Sequence, residues 1–158
     1  MRKNLEVVSI LALVAMAWMT MQAISGPHQL PQRIATHFDW STGEANGWGS
    51  PSAFLFLPVV AVGLWLLLTA VARFPSAFNY PVRVTVRNRE ILERIALDMM
   101  AWLKMELVVL FAGLHWMTIS LARAGNARGA MVHLLPMLGI GVVFTTIGIH
   151  IARMVRAR

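Results

Sequence analysis

The chain contains no cysteine. Disulfides, thiolate catalysis and structural zinc–thiolate sites are therefore excluded. Charge is scarce: Asp, Glu, Lys and Arg make up 13% of the 158 residues, against about 25% in soluble domains. Acids are the rarer sign, with 7 Asp and Glu to 14 Lys and Arg, which leaves a net charge of +7. There is no internal repeat and no low-complexity segment. The sequence also lacks a phosphate loop, a nucleotide fingerprint and a Ser-His-Asp elbow, so nothing marks it as an enzyme.

Apolar residues are abundant, at 58% with a mean hydropathy of +0.64. They fall into four runs, 5–24, 53–72, 100–121 and 131–151. Each is close to the ~20 residues that cross a bilayer as a helix. The first run exceeds the roughly 7–15 residue core of a signal peptide, so a retained span is expected. The composition predicts one integral membrane domain over residues 1–158. The expected fold is all-α, a four-transmembrane-helix antiparallel bundle with an ordered extracytoplasmic loop, 25–52, between helices 1 and 2.

Basic residues cluster at Arg2 and Lys3, in a loop at 73–97, and at Arg153, Arg156 and Arg158. The positive-inside rule then puts both termini and the 73–97 loop in the cytoplasm of a cell inner membrane. It also accounts for the net charge without nucleic acid. The bilayer is the expected partner, and anionic lipid suffices to explain the arginines. A cytoplasmic protein docking at 73–94 is the competing reading. Within that loop Thr85 suits a helix cap, and Arg89 with Glu93 and Glu90 with Arg94 are spaced to pair along a helix. Gly141, Thr145, Gly148 and Ala152 form a small-residue stripe suited to close helix packing.

The polar island at 37–50 separates the first two runs. Asn46-Gly47 predicts a tight turn there, the glycines supply unusual backbone angles, and Trp40 and Trp48 suit the membrane–water boundary. Pro31, Ile34, His37, Phe38 and Gly43, followed by Asn46-Gly47-Trp48-Gly49, resemble the signature of a bacterial membrane domain of unknown function. That domain forms the N-terminal part of SdpI-like toxin-immunity proteins. Ala35 stands where the family usually has a second proline, and Ser50-Pro51 replaces a common Ser-Lys. The resemblance implies a non-enzymatic multi-pass membrane protein acting in toxin immunity or envelope sensing. A peptide toxin or envelope ligand would meet the 37–50 loop.

Two other sets of residues compete for a role. His28, His37, His115 and His133 all fall toward the outer side, and imidazoles suit zinc or copper. Their spacing matches no compact ligand motif, so no metal and no cofactor is assigned. Asp98, Lys104, Glu106 and His150 are polar positions in or beside the last two spans, where charge is costly. Lys104, one turn from the edge, is expected to snorkel to the headgroups. Glu106 is expected to face the bundle and meet Thr145, Thr146 or His150, as a switch or as a structural bond. Polar residues in the spans also support the alternative of a small transporter or transporter subunit. Ligand identity and oligomeric state are not encoded in any feature of the sequence.

Overall fold

One helix touches all the others. The structure is a computed structural model that describes residues 1–26, 29–39, 41–42, 44–124 and 131–157. Its elements are α1 (Arg2–Ile24), β1 (Ile34–Phe38), β2 (Ala45–Gly49), α2 (Phe56–Val71), α3 (Arg89–Ala124) and α4 (Met131–Arg156). Single 3₁₀ turns cover Pro51–Leu55 and Pro75–Ala77. The central helix is α3, which packs against α1, α2 and α4, whereas α1 and α2 meet only lightly.

The basic stretch and the third apolar run form one 36-residue helix. Its start is fixed by a reciprocal cap. Asn88 N–H donates to Thr85 Oγ1 (3.3 Å), and Thr85 N–H donates to Asn88 Oδ1 (2.8 Å). This satisfies backbone donors that a helix N-terminus leaves open. The expected surface pairs form, Arg89 to Glu93 at 3.1 Å and Arg94 to Glu90 at 3.0 Å.

The bundle is apolar outside. Val14, Leu66, Met137 and Phe144 are more than half exposed, while Ser9, Lys104, His115 and His150 are buried. This inverts the usual soluble arrangement and suits a hydrocarbon surround. Three helices, Arg2–Ile24, Pro51–Val71 and Leu134–Arg156, are long and apolar enough to cross a membrane among the described residues. The protein is thus mostly helical and of membrane type.

Three expectations need correction. The all-α expectation does not extend to the loop between α1 and α2, because β1 and β2 pair antiparallel there, which adds a small sheet to an otherwise helical fold. Asn46-Gly47 does not make the turn: both lie inside β2, with Gly47 opposite His37. The small-residue stripe does not pack against the bundle either. A Cβ added at Gly141 or Gly148 would meet nothing within 4 Å, whereas one at Gly139 would collide with Leu110. Gly139, a position the stripe omits, is thus where α4 approaches Leu110 of α3 most tightly among these three glycines.

Candidate functional site

Polar side chains join α1 to α3 at three levels. Arg2 Nε donates to Asp98 Oδ1 at 2.6 Å. Lys104 Nζ lies 2.5 Å from Glu6 Oε2. Thr20 Oγ1 lies 2.9 Å from His115 Nε2. The partners are separated by 95 to 98 residues at every level, so the two helices run parallel and in constant register. Because Thr20 Oγ1 already donates to the Met16 carbonyl at 2.8 Å, it accepts from His115 Nε2–H. That fixes the tautomer of a fully buried ring.

Lys104 does not snorkel as expected. Its side chain is 10% exposed and turns inward. Besides Glu6 it donates to Thr69 Oγ1 of α2 at 3.0 Å, and its ammonium sits 5.2 Å from the centroid of the Trp65 ring. A carboxylate, a hydroxyl and an aromatic face together replace the water that the ammonium gives up. The ion pairs flank a recess of about 150 Å³ lined by Arg2, Glu6, Leu68 and Lys104. Glu6 stands inconspicuously near the start of the first apolar run. Its signal in the sequence is a carboxylate one residue inside that run, nearer the edge than Lys104, which lies four residues inside the third.

On the opposite side of α3, Glu106 reaches α4. Thr146 Oγ1 donates to Glu106 Oε1 at 2.5 Å. His150 Nδ1 lies 2.8 Å from the Thr146 carbonyl, an acceptor only, so Nδ1 carries the proton and Nε2 is bare in the neutral ring. Glu106 Oε2 and His150 Nε2 are both buried without a hydrogen-bond partner among the described residues. Lys104 and Glu106 thus serve different seams, and neither neutralises the other.

The hairpin sits over the C-terminal ends of α1 and α3. Leu30 and Ile34 share a buried cluster with Ala23, Phe54, Ile119 and Ala122. Its turn is built by Asp39, whose Oδ1 accepts from Ser41 Oγ at 2.5 Å, Ser41 N–H at 2.8 Å and Thr42 N–H at 3.0 Å. The Ser41 hydroxyl, with those backbone donors, holds the Asp39 carboxyl below its ordinary pKa. Gly47 is required for close approach: a Cβ there would lie 2.9 Å from His37 Cβ. Gly49 likewise faces Thr36 Cγ2 at 2.9 Å, and neither glycine has a positive φ, contrary to expectation. Trp48 is 56% exposed, and Pro31, His37 and Asn46 are exposed beside it. Phe38 is in β1, while Gly43 and Trp40 lie outside the described residues.

Of the four candidate histidines, His37 and His115 have separate surroundings. His115 is buried against Thr20 and edge-on to Phe54, and His37 is exposed beside Thr36. His28 and the side chain of His133 lie outside the described residues. No group of three or more potential metal ligands occurs among the described residues.

The fold and its polar interior define a helical protein of membrane type. Residues 8–62 match the sequence model of a family described as a domain of unknown function, DUF1648. The matched stretch covers most of α1, the hairpin and the first part of α2, roughly a third of the chain. No curated protein and no solved structure matches the chain.

Proposed function

We propose that the chain is a four-span, non-enzymatic membrane protein of SdpI-like type, acting in toxin immunity or envelope sensing through its hairpin. In this reading α3 is the additional span, since its 36 residues reach about 54 Å. Both termini and the 73–97 loop are cytoplasmic, in the cell inner membrane, and the hairpin is outside. One observation carries the reading. The hairpin offers His37, Asn46 and Trp48 outward, while Leu30 and Ile34 lock it into a cluster shared with α1 and α3. A peptide toxin or envelope ligand that shifts the hairpin therefore pulls on the two helices joined by the polar levels. The change ends at the basic loop, where a cytoplasmic protein would read it.

The test is survival. Cells lacking the gene are challenged with envelope-active peptides and complemented with wild type, Trp48→Ala or Asn46→Ala. Wild type restores resistance to one peptide, and the hairpin variants lose it at unchanged protein level. Hairpin variants that protect as well as wild type end the reading.

A transporter is the second reading, supported by Glu106 and His150, since unpaired ionisable groups inside a bundle are a feature of ion pathways. Reconstituted protein would then carry a proton or cation flux that Glu106→Gln abolishes. Liposomes with wild type no leakier than empty ones end that reading.

A further inference from the structure

At the arginine-rich end of the bundle, α2, α3 and α4 do not close on one another. They leave a groove of about 500 Å³, lined by Val71, Phe78, Met99, Met100, Ile151 and Met154 among others. This is within the roughly 300–1,000 Å³ of small-molecule sites. Its lining is apolar, and it opens onto a surface that is itself apolar, with Val71 39%, Phe74 65% and Ile151 42% exposed. A second recess of about 440 Å³ adjoins it, lined by Pro81, Val82, Arg83, Thr85 and Asn88. Pro81 is common to both. One cavity is thus oily, and its neighbour carries a guanidinium, a hydroxyl and an amide.

The charge balance at this end favours an anion. Glu90 and Glu93 are already paired with Arg94 and Arg89. Arg73, Arg83, Arg87, Arg153 and Arg156 have no acidic partner among the described residues. Arg83 lines the annex itself, while Arg73, Arg87, Arg153 and Arg156 add positive charge at the same end of the bundle. Guanidinium groups match phosphate geometry and stay charged at any relevant pH.

We propose that the groove and its polar annex form a binding site for one anionic phospholipid, with an acyl chain between α2, α3 and α4 and the phosphate at Arg83. A soluble peptide fits less well, because the groove opens onto the face that hydrocarbon covers. A zwitterionic lipid fits less well, because its ammonium would meet unpaired arginines. This differs from diffuse attraction to an anionic leaflet in requiring both the groove and the charge.

Native mass spectrometry of the full chain, released from detergent with equal phosphatidylglycerol and phosphatidylcholine of identical chains, tests the site. The expected result is one retained phosphatidylglycerol, favoured roughly five-fold or more over phosphatidylcholine. Arg83→Gln brings that ratio toward one. Ile151→Trp, from a half-exposed position, fills the groove and lowers retention of both lipids at unchanged helical circular dichroism. Equal retention of the two lipids by wild type overturns the proposal, as does a preference that survives Arg83→Gln. That comparison stands whether or not Ile151→Trp folds. In a competition arm, lysophosphatidylglycerol displaces the lipid and free glycerol phosphate does not. Displacement by glycerol phosphate at the same concentration overturns the role of the apolar groove.

Discussion

Lys104 Nζ and Glu6 Oε2 meet 2.5 Å apart across the seam between two parallel helices. The pair lies inside the bundle, and the ammonium also has Thr69 and Trp65. Removing one member leaves the other charge buried and alone. Breaking such a pair typically costs about 3–5 kcal/mol, and the 33% exposure of Glu6 puts Lys104→Met at the low end or below. Lys104→Met with Glu6→Leu should recover most of that loss, because no orphan charge remains. Reversible unfolding in mixed micelles checks both. A double variant no more stable than Lys104→Met would mean the pair is not what the single variant disrupts.

The Thr146–Glu106 contact predicts a graded series. Thr146→Val leaves a buried Glu106 oxygen without its donor and should cost about 1–3 kcal/mol. Glu106→Gln keeps an acceptor for the Thr146 hydroxyl and should cost less than Glu106→Leu. The same unfolding assay orders the three, and equal losses for Gln and Leu would mean that the hydrogen bond contributes nothing.

Asp39 predicts a pH dependence confined to the hairpin. Its carboxyl has a lowered pKa in the folded turn, chiefly through the Ser41 hydroxyl. The ionised form therefore stabilises the turn above the ordinary carboxylate pKa of about 4, and the contribution is lost as pH falls through the lowered value. Amide signals of Ser41 and Thr42, followed by NMR in micelles, should hold steady at neutral pH and shift only well into the acid range. Asp39→Asn should abolish the transition. A midpoint at or above the ordinary value contradicts the bonding scheme.

Gly47→Val should open the hairpin without melting the helices, because its side chain would overlap His37 Cβ. Limited proteolysis within residues 34–49 should quicken while helical circular dichroism stays constant. His37→Gly removes the colliding atom, so the double variant should regain resistance. Persistent sensitivity of the double variant would place the defect elsewhere.

The apolar runs made the helices legible, because length and composition are what a bilayer selects. Depth matching along antiparallel helices also leads from Glu106 to Thr146. The hairpin was harder. Asn-Gly is a strong turn signal in isolation, yet here the strands are set by burial of Ile34 and Ala35 and by the Asp39 turn. Once Asp39 makes the turn, Asn46-Gly47 falls inside β2. Lys104 departs from the expected snorkelling for a related reason. Snorkelling follows from one side chain and one edge, whereas its actual partner is a carboxylate some hundred residues earlier in the chain, visible only when α1 and α3 are aligned in parallel.

The dominance of α3 has a consequence for how the chain is made. α1 and α2 reach the bilayer first, yet they touch each other lightly and have few reasons to stay together. Glu6 then waits for Lys104 while roughly 30 more residues leave the ribosome, about 2–7 s at ordinary synthesis rates. During that interval the half-built protein is two loosely associated segments, one bearing an unneutralised carboxylate. Assembly should therefore be decided when the third helix arrives. Chains truncated before Lys104 should be preferred substrates for membrane proteases, and chains truncated just after α3 should be spared.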